Sequence, residues 1–229
     1  MATKRPRKKN DVLLGHFELT PKQDKFIKTM IDPQTRVVFI SGPAGTSKSL
    51  ISVYAAIQMW NDNRELSIFY LRSIVESADR GLGFLKGDVD DKVEPYMAPL
   101  MDKLSELLQD YELHELERSG SLEGGPINFL RGQSWRDKIV IVDEAQNLSE
   151  RELTTVMTRV GRDTKLFVCG DPMQSDIRNS GFDNFFNLFD DKESQKEGIQ
   201  CLKFNKDDIM RDPIVAYIVD KIEKSQQSQ

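Results

Sequence analysis

Gly42-Pro43-Ala44-Gly45-Thr46-Ser47-Lys48-Ser49 follows the β-branched run Val37-Val38-Phe39-Ile40 and precedes an apolar helical pattern that opens Leu50-Ile51. Strand, glycine loop, Lys-Ser and helix, in that order, are the context a phosphate-binding loop requires. Backbone N–H groups around such a loop point inward at a phosphate, and the start of the helix adds its positive end. In that context Lys48 reaches the β- and γ-phosphates and Ser49 holds Mg²⁺, with the stretch from Gly42 to Leu50 as the cradle. The usual pattern has glycine before the lysine. Ser47 stands there instead and has to take up the loop geometry without glycine's freedom.

Downstream the chain supplies the expected partner of such a loop. Residues 138–142 are the strongest strand signal after the first and end in Asp143-Glu144-Ala145-Gln146. An apolar strand that delivers two carboxylates fits Asp143 as acceptor for water on Mg²⁺ and Glu144 as the group that polarises the attacking water. Another buried strand, residues 165–169, ends in Gly170-Asp171-Pro172-Met173-Gln174, which brings a second polar cluster to the same sheet edge and lets Gln174 sense a γ-phosphate through water. Residues 66–71 read as a strand ending in Arg72-Ser73, and open parallel sheets place binding groups at such ends. Arg72 is there a phosphate contact, for nucleotide or nucleic acid, or half of a surface salt bridge. Thr20-Pro21-Lys22-Gln23 opens the first helix with a cap, a proline at the first position and an amide at the third. Gln23 thus reads either as a capping-box residue or as an amide that donates to and accepts from an adenine edge.

The remaining segments organise one α/β domain of residues 17–224 between a basic flexible arm, 1–16, and a polar tail, 225–229. The first ten residues hold five basic side chains and no acid; the chain carries −5 overall, so residues 11–229 carry −10. Such an arm on an acidic body touches nucleic acid or serves as a solubilising tail. Residues 76–92 are polar with spaced glycines and mix Arg80 with Leu82, Phe84 and Leu85, as a lid, a subunit contact or a strand-binding element would. Pro95 and Pro99 precede a one-faced set, Leu100, Leu104, Leu107 and Leu108, expected in the core. Residues 119–126, glycine-rich and acidic, read as a flexible connection, and 127–130 as a short strand ending at Arg131-Gly132. Ser149-Glu150-Arg151-Glu152 caps a helix with the stripe Leu153, Val156, Met157, Val160 that ends at Gly161, and Arg159 lies off that stripe, toward solvent or a neighbouring subunit. Phe182, Phe185, Phe186 and Phe189 follow a core spacing more than a base-stacking one. The two cysteines, Cys169 and Cys201, give no disulfide framework and fit a reducing cytoplasm; no apolar run reaches the length of a membrane span.

Taken together, several segments resemble the PhoH-like family, phosphate-loop ATPases related to the helicase core of superfamily 1. They are the phosphate loop, Leu71-Arg72 with Glu76 and Gly81-Leu82-Gly83-Phe84-Leu85-Lys86-Gly87-Asp88, Leu130-Arg131-Gly132, Val142-Asp143-Glu144-Ala145-Gln146-Asn147, Thr158-Arg159-Val160-Gly161, Gly170-Asp171-Pro172-Met173-Gln174 and Ile209-Met210-Arg211-Asp212-Pro213. The resemblance runs from about Thr20 to Glu223 and is closest to the compact, single-domain versions carried by bacteriophages, which places the chain in the cytoplasm of a bacterial host. It implies a three-layer RecA-like P-loop NTPase with a mostly parallel central sheet, ATP with Mg²⁺, and a ring of subunits, most simply a hexamer. For some members it implies RNA helicase or ribonuclease-associated activity. Related helicases complete the site with arginines from a second such domain, which these residues do not include. The expectation is therefore that Arg159 acts as a finger in trans and Arg211 as a sensor in its own chain, with Arg72, Arg80 and Arg131 as contacts for RNA or single-stranded DNA. Two functional classes are implied: an ATPase that works on nucleic acid, and an ATP-gated, ring-forming assembly or regulatory protein with slow hydrolysis. A small-substrate kinase shares the loop but not the hydrolysis cluster of Asp143, Glu144 and Gln174.

Overall fold

The computed structural model describes residues 18–73, 89–127, 134–210 and 213–226. Its centre is a six-stranded sheet in the order β3-β2-β4-β5-β1-β6, formed by β1 (Val37–Ser41), β2 (Ser67–Arg72), β3 (Leu122–Pro126), β4 (Lys138–Asp143), β5 (Lys165–Gly170) and β6 (Ile199–Lys203). Each of the five strand pairings is parallel. β1, β4 and β5 are buried almost throughout because helices cover both faces, which is why they read as unbroken apolar runs.

Alternation along the strands divides the core in two. Val38, Ile40, Ile68, Tyr70, Ile139, Ile141, Phe167 and Cys169 face one layer, with α1 (Pro21–Ile31), α2 (Lys48–Asp62), α3 (Val89–Leu107) and α4 (Asp110–Arg118). Val37, Phe39, Val140, Val142, Leu166 and Val168 face the other, where α5 (Glu150–Met157) and α6 (Phe182–Phe189) pack. The short α7 (Lys192–Lys196) leads into β6, and α8 (Pro213–Gln226) closes the chain. This is the three-layer α/β architecture of a RecA-like P-loop NTPase. The registers Ser41↔Gly170, Ser41↔Lys203 and Arg72↔Asp143 bring the strand ends to one common edge.

Several local expectations hold. Thr20 caps α1 and forms the capping box with Gln23, Ser149 does the same with Glu152 for α5, and Leu100, Leu104, Leu107 and Leu108 are buried. Phe182 and Phe186 are core residues, and Phe39 packs between the α6 rings of Phe182 and Phe189.

Others are corrected. The edge strand is Leu122–Pro126, inside the stretch read as a flexible connection; Ile127 lies past its end, and 128–130 fall outside the described residues. Its glycine lets α3 come close: a Cβ on Gly124 would stand 2.2 Å from Met97 Sδ and 2.7 Å from the Tyr70 carbonyl oxygen. Pro95 and Pro99, which precede the leucine set as expected, lie inside α3 with Leu100, Leu104 and Leu107. The helix after Ser149 stops at Met157, with Thr158 as its C-cap, short of Gly161. Gly161 instead meets the Trp135 carbonyl so closely that a Cβ there would stand 2.1 Å from its oxygen.

Candidate functional site: the phosphate loop and carboxylate edge

β1 runs into the loop at Gly42, whose Cα lies so near Phe204 that an added Cβ would stand 2.6 Å from the Phe204 Cβ. Gly45 and Ser47 both take positive φ, 83° and 64°; Ser47, with ψ 25°, is the left-handed N-cap of α2 and forms no side-chain cap. The serine thus adopts the backbone that glycine supplies in the common pattern. The loop is stapled inside and out. Thr46, fully buried, donates to Pro43 O at 2.8 Å, and Met210 N donates to Gly45 O at 3.0 Å. Lys48 is folded back over the loop, its Nζ donating to Gly42 O at 2.6 Å and Pro43 O at 3.0 Å. Burial lowers its pKa below the ordinary lysine value, against the pull of Asp171, Asp143 and Glu144.

The carboxylates meet this loop from β4. Asp143 Oδ1 accepts from Ser49 Oγ at 2.7 Å, and Oδ2 accepts from Tyr70 OH at 2.6 Å. Burial, then the neighbouring Asp143 charge, raises the Tyr70 pKa, so the hydroxyl stays a donor. Hard oxygen donors of this kind suit Mg²⁺, which is held by one or two protein oxygens together with the substrate's phosphates. Among the described residues no group of three or more His, Cys, Asp or Glu forms a metal cluster of its own. Glu144 takes left-handed backbone, φ 54°, at the turn out of β4. One of its oxygens accepts from Gln146 Nε2 at 2.6 Å and the other lies 3.8 Å from the Arg72 guanidinium.

From β5 comes Asp171, which caps the turn Pro172–Gln174 by accepting from Met173 N at 3.1 Å, with Ala44 and Gln174 close by. Burial raises its pKa while Lys48 and these neighbours pull it down. Behind the loop, Cys169 lies 3.1 Å from Ser52 Oγ, and its burial pushes the thiol up to about 12, so it is an inert packing residue.

The loop and both strand ends enclose a cleft of about 590 Å³, lined among others by Lys48, Ser49, Asp143, Glu144, Asp171 and Gln174. Leu50 lines it as well, and α3 adds Pro99, Lys103 and Glu106 from the far side.

The fold thus brings Lys48, Ser49, Asp143, Glu144, Gln174 and Arg72 to one edge. Arg72 faces Glu144 across that edge. Gln23 is nearly fully buried; its Oε1 accepts from Thr20 N at 2.9 Å, and its Nε2 has no hydrogen-bond partner. Gln23 is not among the residues that line the cleft, and its unpaired Nε2 stands beside the capping role. Arg159 lies elsewhere: its carbonyl accepts from Trp135 N, ahead of β4, at the strand-start edge. Arg80, Arg131 and Arg211 fall outside the described residues. Sequence reading did not single out Tyr70 or Gln146. Tyr70 carries one signal, an aromatic hydroxyl in an otherwise apolar strand, but only strand register reveals its partner.

The family model described as "PhoH-like protein" matches residues 18–223. The chain is 34% identical over 210 residues to a PhoH-like protein of Synechocystis sp., covering 90% of this chain and 62% of the relative. To a PhoH-like protein of Bacillus subtilis it is 32% identical over 188 residues, covering 82% of this chain and 58% of that one. It therefore spans about three fifths of the length of these relatives. Among solved structures, Pif1 helicase from Candida albicans aligns with a TM-score of 0.41 and 14% identity, covering 82% of this chain and 40% of that one. No helix among the described residues is long and apolar enough to cross a membrane.

Proposed function

The chain belongs to the PhoH-like family of P-loop ATPase domains, and on that premise we propose that it hydrolyses ATP with Mg²⁺ and couples turnover to single-stranded nucleic acid, RNA first. The observation that carries this reading is the 2.7 Å bond between Ser49 Oγ and Asp143, in one cleft with Lys48 and Glu144. Charged phosphate oxygens are better acceptors for an ammonium than the two neutral carbonyls Lys48 now holds, so the lysine turns to them. Ser49 and Asp143 supply the protein oxygens for Mg²⁺, which when bound neutralises charge on the β- and γ-phosphates. Glu144 accepts the proton of the attacking water, and Gln174, at the exposed lip of the cleft, hydrogen-bonds near the γ-phosphate.

Calorimetry and turnover test this directly. Lys48→Ala loses Mg-ATP binding, and tight binding in that variant overturns the site. Glu144→Gln keeps nucleotide while turnover falls about 10²- to 10⁴-fold, the usual worth of a general base; a parent-like rate removes Glu144 from that role.

Nucleic-acid coupling is supported by the half-exposed Arg72 at the strand end and by the basic first ten residues. Binding through phosphates weakens steeply with salt. Filter binding of single-stranded RNA and DNA across a salt series, with and without residues 1–10, reads it out. A second reading, an ATP-gated assembly protein with slow hydrolysis, is favoured by one observation: both Glu144 oxygens already have partners and Lys48 is turned onto its own loop. ATP turnover that rises with RNA supports the first reading; ATP-dependent assembly with an RNA-independent rate supports the second.

A further inference from the structure

Gln146 sits in the 3₁₀ turn Ala145–Asn147 and is 1% exposed. Its amide has one allowed orientation. The Asp171 N–H, which can only donate, approaches one end at 3.0 Å, so that end is Oε1. Nε2 is therefore turned to Glu144 and donates to its carboxylate at 2.6 Å, with Gln174 O 3.4 Å away. The Gln146 carbonyl accepts from Ser175 Oγ at 3.0 Å, which fixes the turn after β5 a second time. The strand end that leads into that turn is itself tied to the phosphate loop, through Gly42 N to Gly170 O at 3.3 Å.

We infer that Gln146 is a positioning residue for hydrolysis: it holds the Glu144 carboxylate in register with the turn that carries Gln174, so that movement of that turn is passed to the base. The inference rests on the reading of Glu144 as the group that takes the proton of water. The Glu144 side chain is more than a third exposed, and its second contact is a 3.8 Å ion pair with Arg72. Without the amide, that long contact alone opposes rotation of the carboxylate among its rotamers. The amide cannot flip to release it, because flipping breaks the bond to Asp171 as well. A small displacement of a reacting group costs orders of magnitude in rate, so a buried amide that fixes its orientation is a rate device.

Two variants of the full chain separate this role from a structural one. Gln146→Met keeps the volume and removes both bonds. Gln146→Leu also removes both bonds, with a branched apolar side chain in place of the flexible one. Both are expected to lower kcat about 10- to 100-fold, the range for residues that orient a reacting group from behind, with KM for ATP and affinity for ADP within about twofold of the parent. Amide hydrogen exchange at Asp171, measured without nucleotide, accelerates in both, because both lose its acceptor. In a Glu144→Gln background, adding Gln146→Met leaves the residual rate where it was, because the two residues act as one unit. Parent-like kcat in Gln146→Met and Gln146→Leu overturns the inference while leaving Glu144 as base, and so does a further loss in the Glu144→Gln background. Parent-like turnover in Glu144→Gln alone removes the reading beneath it, and the inference falls with that reading. Should Gln146→Met fail to fold, the Gln146→Leu rate decides.

Discussion

Ser47 and Glu144 hold left-handed backbone at φ 64° and 54°, one opening the helix after the phosphate loop and the other ending the carboxylate strand. Such conformations in side-chain-bearing residues gather at functional sites, where the surrounding structure enforces them. At Ser47 the cost is separable from chemistry, because the side chain makes no cap. Left-handed backbone costs an L-residue about 1–2 kcal/mol, and glycine's greater freedom in the unfolded chain takes back about 0.5–1 kcal/mol. Ser47→Gly is therefore expected to gain about 0.5–1 kcal/mol in denaturant melts, and Ser47→Val to lose stability and nucleotide affinity together. A loss on Ser47→Gly means the hydroxyl makes an offsetting contact. Lys48, Ser49, Asp143 and Glu144 were readable from the sequence because each follows an apolar run whose end is local information. Tyr70 and Gln146 were not. Each owes its role to a partner on another strand or beyond one, and spacing along the chain carries no trace of that.

At the scale of elements, strands buried on both faces announced themselves, and the edge strand did not. Leu122–Pro126 contains two consecutive glycines and an acid, the composition of a loop. Gly124 is there because α3 presses on the strand from one side and β2 lies alongside it. That closeness gives a prediction. Gly124→Ala pushes a methyl against Met97 and the Tyr70 carbonyl and is expected to cost about 1–3 kcal/mol, as overpacking does. Met97 is a flexible side chain that can retreat, whereas the Tyr70 carbonyl is backbone in β2. Adding Met97→Ala should therefore recover only part of the loss in thermal melts. Full recovery locates the whole conflict at Met97. Because the Tyr70 hydroxyl holds Asp143, the same substitution should also weaken nucleotide binding, an effect with no counterpart in substitutions on α4 or α7.

For the molecule as a whole, the proposed hydrolysis requires a cation to meet the charge that develops on the γ-phosphate. Supplying one arginine there is worth about 10³- to 10⁵-fold in turnover. On the proposed reading Lys48 is taken up by the ground-state phosphates, and Arg72 faces Glu144. Arg159 stands at the opposite edge: Trp135 N bonds its carbonyl and Arg36 bonds Gly161 O at 2.5 Å, and both partners precede strands. Asp143 ends the six-residue β4 that starts at that edge, about 17 Å away at a strand's rise per residue, beyond the reach of one side chain. Arg159 therefore serves no phosphate loop of its own chain, and as a finger it must serve a neighbour's. A head-to-tail contact that brings one chain's strand-start edge to the next chain's cleft is heterologous, and such contacts form a ring where the rotation between neighbours closes. Arg159→Ala and Lys48→Ala chains, each inactive alone, are then expected to regain roughly a quarter of parent turnover when mixed equally and reassembled, since random pairing puts an intact arginine against an intact loop at that share of heterologous contacts. Light scattering during turnover supplies the control. Full activity from a monomer, or no recovery in a mixed assembly of normal mass, excludes Arg159 as the finger and leaves the cation to Arg211 or to a bound strand's partner residues.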